Sequence, residues 1–326
     1  MIRRMTGSAL SLRGVTHRFR DAQVLVSVDL DVGEGEIYGF LGLNGAGKTT
    51  TIRILVGLLR LQAGDVRIYG ADVRSAPSEV YRNVGVLFED FAAHPYLTGR
   101  EQALLHARFL GVPAAEARSS ADRWLERVGL AAKASARVKG YSLGMRRRLG
   151  LACALVASPR VVILDEPTNG LDPQGIADLR GHLQSLNLNE GVTIFLSSHI
   201  LGEVEQLCTR VGILHGGRIR LEGAVKELTG RGTPRHRVRA VPLAKAREVL
   251  EAQGGGGSVA VDGAGDALLA ELKPEDVPRR VRELVAAGVE VYEVSPRIES
   301  LENVFHEVVD RAESSISEPV GTERAS

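Results

Sequence analysis

The chain is poor in the residues that would place it in several functional classes. It has two cysteines, Cys153 and Cys208, far apart and without metal-ligand spacing. Neither a disulfide framework nor a thiolate metal centre is expected, and a reducing compartment fits. It has almost no net charge, +1 from 41 basic and 40 acidic residues. That balance supplies no basic field of the kind that holds nucleic acid, so nucleic acid is not an expected partner. No apolar run reaches the roughly 18–20 residues needed to cross a bilayer. The start, "MIRRMTGSALSLRG", has basic residues but no apolar stretch behind them, and no signal peptide is expected. Internal repeats are absent as well.

What is present is ordinary for a globular protein: 44% hydrophobic and 25% charged residues in a 326-residue chain. That length fits about two domains. In the first half, β-type apolar runs occur at 37–41, 65–69, 84–88, 161–165, 192–197 and 211–214, with helical patterns between several of them. This order predicts an α/β core with a largely parallel sheet. From Tyr96 to Leu155 the β signal disappears. Thr98 and Glu101 form a capping box that opens one helix, ending near Gly111; 114–128 reads as a second. A third begins near Ser142 with Met145, Leu149, Ala152 and Val156 at helical spacing. A helical insert, about 92–157, thus interrupts a first domain spanning 8–230.

A boundary is expected near Gly230–Pro234. Beyond it, strands at 236–241 and 289–294 mix with helices at 244–252 and 278–287, predicting a small α+β domain over 235–310. The glycine run 254–257 reads as a flexible turn, because no Lys-Ser/Thr follows it. The Ser/Glu-rich tail, 311–326, is expected to be disordered.

Two motifs carry chemistry. The segment "GLNGAGKT", Gly42 to Thr49, matches G-x-x-x-x-G-K-[ST]. Its glycines let backbone N–H groups turn in on phosphates; Lys48 reaches the β/γ oxygens and Thr49 offers a hydroxyl to Mg²⁺. A strand precedes it and a helix, expected over 49–58, follows, so a helix N-terminus meets the anion. Asn44, Gly45, Ala46, Gly47 and Thr50 complete the expected nucleotide-binding set. The second motif, "VVILDEP", is an apolar strand ending in Asp165 and Glu166. Asp165 would hold Mg²⁺, and Glu166 would be the base for an attacking water. Together they predict nucleotide hydrolysis. No Asn-Lys-x-Asp motif supports a GTPase.

From Leu10 to Gly223 the chain resembles the ATP-binding subunits of ABC transporters. The resemblance rests on motifs in order: Walker A at 42–49, Walker B at 161–166, a D-loop at Gly170–Pro173 and a switch-histidine segment at Ser197–His199. Phe19 occupies the place of the aromatic that stacks on adenine, and "YSLGM" (141–145) the place of the LSGGQ signature. The resemblance implies a P-loop NTPase (RecA-like) α/β core with an antiparallel β portion, an inserted helical subdomain and a small C-terminal α+β domain. It implies ATP and Mg²⁺ as cofactors, and Lys48, Glu166 and His199 as catalytic residues. Ser142 and Gly144 would close over ATP held by a second ATP-binding subunit, as in a homodimer. The permease would be a separate membrane chain contacted through the Tyr96-Leu-Thr-Gly region, with this subunit peripheral on the cytoplasmic face.

Two departures stand out. Leu143 and Met145 replace a signature glycine and glutamine, and Glu89 stands where the family usually has a metal-approaching glutamine. Similar residues occur in ABC-2-type antibiotic and lantibiotic-immunity exporters, and "IESLENVF" (298–305) resembles their C-terminal extension. The function implied is energising export of a small molecule, an antibiotic or drug among the options. The alternative is a soluble ABC-type ATPase acting on a non-membrane assembly partner. A bare N-cap serine at Ser142 and a generic P-loop kinase or NTPase are the plainer readings.

Other conspicuous residues have structural readings. Arg146, Arg147 and Arg148 are expected on a solvated helix face, with contact to phosphate or a partner chain as the alternative. Trp124 is expected to pack within the helical insert, and His17 and His94 to lie at the surface. Asp172-Pro173 suits a helix cap with Pro at N1.

Overall fold

The computed structural model describes residues 7–20, 22–75, 81, 83–229, 235–252, 259–262, 265–297 and 300–314. They fall into two compact units, Ala224–Glu307 and the remainder on either side. The expected boundary at 230–234, the glycine run 254–257 and the tail from 315 lie outside the described residues.

The first unit contains two sheets. β1 (Ser8–Phe19), β2 (Ala22–Gly33), β4 (Ala63–Ile68) and β5 (Ala71–Asp72) pair antiparallel in the order β2-β1-β4-β5. β3 (Ile37–Leu41), β6 (Val84–Leu87), β7 (Val161–Asp165), β8 (Thr193–Ser198), β9 (Arg210–His215) and β10 (Arg218–Ala224) form the second, ordered β10-β9-β3-β8-β7-β6. There β3 pairs parallel with β8 and β9, and β7 with β6 and β8. β3, β7 and β8 are buried along their whole length. A parallel strand is covered on both faces, and this is why these segments are continuous apolar runs in sequence.

β1 and β2 were not among the strands located from the apolar runs. Their ladder has register shifts between Ser8 and Leu10, and three more between Leu12 and Arg18, while Ser27 has φ 54°. Each irregularity switches the face that side chains take, so no long period-2 pattern survives. One apolar cluster joins Leu10, Leu12 and Val28 from the antiparallel sheet with Phe40, Ile163 and Phe195 from the parallel one. Ile52 and Leu55 of α1 (Lys48–Leu55) belong to the same cluster. Phe195 lies 5.8 Å from the Tyr38 ring, stacked, and 5.4 Å from that of Phe40.

The helical insert contains α2 (Gly99–Phe109), α3 (Ala114–Arg127) and α4 (Leu143–Leu155). The capping box is formed: Glu101 N–H donates to Thr98 Oγ1, and Thr98 N–H to Glu101 Oε2 at 2.8 Å. Trp124 packs as expected, buried under the Arg127 guanidinium 4.5 Å from its ring. α5 (Pro173–Glu190) starts at the expected cap, with Asp172 accepting from Gly175 N–H, and α6 (Leu201–Leu207) follows β8.

The second unit has α7 (Val225–Leu228) and a sheet of β11 (Arg235–Val241), β12 (Val259–Val261), β13 (Leu268–Glu271) and β14 (Glu290–Arg297), ordered β12-β13-β11-β14. Its core unites Val238, Ala240 and Leu268 with Ala246 and Leu250 of α8 (Leu243–Glu251) and Leu284 of α9 (Val277–Ala286). One expectation is corrected: α10 (Leu301–Ser314) runs past Arg311, so the tail does not begin there. Its apolar Val304, Phe305, Val308 and Val309 recur at helical spacing and carry the helix onward.

Replacing Thr98 with Ala removes the hydroxyl half of the capping box. The expected loss is about 1 kcal/mol of stability, read as a shift in urea midpoint.

Candidate functional site

β3 ends at Leu41, and the chain turns through 42–47 into α1. Gly47 fixes that turn. Its φ is 110°, and a Cβ there would lie 2.6 Å from Leu25 Cδ2. No side chain caps α1 and its first turn has no acidic residue. Its orphan N–H groups therefore favour an external anion.

Lys48 is buried at the start of that helix. Its Nζ donates to Gly42 O at 2.7 Å and lies 3.1 Å from Glu166 Oε1. The second contact is an ion pair outside hydrogen-bond geometry, so Oε1 accepts no hydrogen bond. The other oxygen, Oε2, is 2.8 Å from His199 Nδ1. Glu166 makes both contacts from a left-handed backbone, φ 47°. For a non-glycine residue that conformation costs about 1–3 kcal/mol and is found at functional sites. Ser197 supports it: its O and Oγ both accept from Glu166 N–H, at 3.2 and 3.0 Å.

Asp165 lies beneath, at the end of β7. Ser197 Oγ donates to Asp165 Oδ1 at 2.6 Å. Burial holds the Asp165 carboxyl above the usual range; the Ser197 and Thr49 hydroxyls oppose that, and the charges on Glu166 and Glu89 add to it. An extra cation would relieve this crowding of carboxylates. Among the described residues no group of three His, Cys, Asp or Glu side chains forms a metal cage. The donor set fits Mg²⁺, which takes one or two carboxylates and fills its shell with water and phosphate oxygens.

A cavity of about 440 Å³ opens over these groups. It brings together Asn44, Gly45, Gly47, Lys48, Thr49, Thr50, Glu89, Glu166 and His199 from the expected set, together with Asn169, Val24 and Leu43. Phe19, Ala46, Ser142, Gly144 and Asp165 do not line it. Phe19 is 47% exposed, its ring 4.6 Å from that of His17 and edge-on. Ser142 caps α4, with Oγ accepting from Met145 N–H at 3.2 Å. Leu143, also exposed, faces Gly170 of the same chain.

Four residues differ from expectation. His17 is 2% exposed, because the β1 register turns it inward, and burial lowers its pKa. Arg147 is 8% exposed: α4 packs this face against the segment after β6, where Arg147 Nη1 donates to Phe88 O at 3.2 Å. Arg146 and Arg148 are half-buried on backbone oxygens of Tyr141 and Val128. The three arginines are therefore not a solvated face. Asn169 was missed in sequence; its Nδ2 donates to Glu89 Oε1 at 2.8 Å. The one sequence signal was its place beside Gly170.

The family model for ABC transporters matches residues 25–169. An uncharacterised ABC transporter ATP-binding protein of Bacillus subtilis is 38% identical over 92% of this chain and 95% of its own. A daunorubicin resistance ATP-binding protein of Streptomyces coeruleorubidus is 37% identical over 92% of this chain and 96% of its own. A solved ATP-binding subunit of an ABC transporter superposes with TM-score 0.63 at 30% identity, covering 69% of this chain and 93% of that one.

Gly47→Ala should destabilise the protein by about 1–3 kcal/mol, from strained φ and the Leu25 clash. Gly144→Ala should be near neutral or mildly stabilising, since its Cβ would meet Leu171 at an ordinary 3.6 Å. Parallel thermal melts of the two variants check this.

Proposed function

This chain belongs to the ABC transporter ATP-binding proteins, and from that premise we propose how its residues use ATP and what they serve. It is an ATPase subunit that energises export through a separate membrane permease. The observation that carries the residue assignment is the single cavity joining Lys48, Thr49, Glu89, Glu166 and His199. The exported molecule is a small one of antibiotic or drug type; the similarity to a daunorubicin resistance protein supports that class.

Lys48 and the N-terminus of α1 hold the phosphates. Lys48 now faces Glu166, so an entering phosphate competes for the same ammonium. That exchange frees the Glu166 carboxylate, which His199 keeps oriented through Nδ1. Glu166 then takes a proton from the water that attacks the γ-phosphorus as the bond to the leaving ADP oxygen breaks. Thr49, Asp165 and Glu89 would hold Mg²⁺, which would supply positive charge to neutralise the phosphate oxygens. Phe19 stacks on the adenine; its exposure leaves a ring face free.

Ser142 and Gly144 complete the site of a second copy, which makes ATP the link between two subunits. The exposed Tyr96 (67%) and Phe109 (79%) support a permease contact at the Tyr96-Leu-Thr-Gly region. The working place is the cytoplasmic face of the membrane. Residues 8–230 act as the ATP-binding domain and 235–310 as an accessory domain.

Glu166→Gln should retain ATP, accumulate as an ATP-bound dimer in size-exclusion chromatography and lose turnover by at least about a hundredfold. Unchanged turnover would remove Glu166 from the base role. From gently solubilised native membranes the tagged protein should co-purify with a polytopic permease. Recovery with soluble assembly factors alone would end the export reading.

A further inference from the structure

Two buried oxygens close in sequence to Glu166 and His199 have no part in the mechanism above. One is Thr168 Oγ1, two residues after Glu166. The other is Glu203 Oε2, on α6, four residues after His199. Both are shut off from solvent, and neither has a hydrogen-bond partner. A buried acceptor left alone bears its full desolvation cost, and a charged group bears more than a neutral one. Two such atoms point to a donor between them.

Thr168 and Glu203 line one small cavity, of about 20 Å³, together with Ser198 and apolar side chains that include Leu179, Leu183 and Leu196. A single water needs roughly 10–15 Å³ and two to four polar partners. The cavity meets both conditions. Ser198 is a third polar group on its wall: its Oγ accepts from Ile200 N–H at 2.9 Å, and its own hydroxyl hydrogen remains to be given. Arg180 also lines the cavity, but its Nη1 donates to Gln206 Oε1. Glu203 is the one carboxylate on the walls, and no His or Cys joins it, so the lining does not suit a metal ion.

We propose that this cavity binds one ordered water, bonded to Thr168 Oγ1 and Glu203 Oε2, and that Thr168 and Glu203 are through it positioning residues for the pair Glu166 and His199. The water donates to Glu203 Oε2 and accepts the hydroxyl hydrogen of Thr168. Its role follows from where the two residues stand. Pro167 alone separates Thr168 from Glu166, while His199 and Glu203 lie on either side of the start of α6. The contact of His199 Nδ1 with Glu166 Oε2, at 2.8 Å, already joins these two segments. The water joins them a second time, and two points fix a direction that one does not. The positioning role rests on the base assignment of Glu166 above; the water site does not.

A crystal structure of the wild-type protein, at a resolution that shows waters, tests the site. An ordered water should lie within about 3.2 Å of both oxygens. A cavity without density, or a direct hydrogen bond from Thr168 to Glu203, would overturn it. Steady-state ATP turnover tests the role. Thr168→Val and Glu203→Leu should each lower kcat about fivefold and leave KM for ATP within about twofold, since neither side chain is among those assigned to the phosphates. The double variant should fall no further than the lower single, because the second substitution removes a tie already lost. Thr168→Ser, which keeps the hydroxyl, should stay within about twofold of wild type. Unchanged kcat in the singles, or independent losses that multiply to about twenty-five-fold in the double variant, would overturn the role. If Glu203→Leu does not fold, Thr168→Val against Thr168→Ser decides it. Wild-type protein that holds the water but hydrolyses no ATP keeps the site and removes the base assignment with the role. Wild-type protein that hydrolyses ATP without the water removes this inference alone.

Discussion

A buried ammonium needs anions and carbonyl oxygens around it, and Lys48 has both. It is held by Gly42 O and faces Glu166. Much of the site's geometry follows from that requirement. Gly42 belongs to the loop after β3, and Glu166 follows β7; β8 separates these strands in the sheet and contributes Ser197, which fixes the backbone of Glu166. The parallel ladder β3-β8-β7 sets the separation of lysine and carboxylate. A slip of one residue in any of the three would turn Lys48, Glu166 or Ser197 away from the others.

The sequence revealed the parts of this arrangement that depend on local pattern. β3 and β7 are legible because full burial makes them unbroken apolar runs, and both reactive segments stand at their carboxyl ends. The capping box at Thr98 and the cap at Asp172 are legible because each is satisfied within four residues. The antiparallel sheet is less so. Its bulges break the alternation that would show β1 and β2, and His17 is buried by a register that the neighbouring strand decides.

The same distinction separates the site residues. Lys48, Thr49, Asp165 and Glu166 are set by spacing within a motif. Asn169 and Arg147 owe their positions to partners 80 and 59 residues away, Glu89 and Phe88. A run of three arginines after a helix start suggests a solvated face, since exposed basic residues are common and buried ones rare. What overrides that expectation is the packing of α4 against β6 and the segment after it, which no helical period within α4 encodes.

Charge also accounts for why the resting cavity holds its shape. Glu89 and Glu166 lie near Asp165, and their charges disfavour its ionised form. His199, Ser197 and Asn169 each hydrogen-bond one oxygen of this group, and Lys48 forms an ion pair with another. The interactions are individually replaceable by those of a nucleotide and a cation. A phosphate can take the place of Glu166 at Lys48, and a metal can take up the negative charge now spread over Asp165 and Glu89. The strained left-handed backbone of Glu166 is tied to β8 through Ser197, so its carboxylate can lose Lys48 without losing its position. The site is thus arranged for exchange of partners at nearly fixed geometry. The base role proposed for Glu166 needs a carboxylate that its substrate releases yet that stays aimed, and this arrangement allows both.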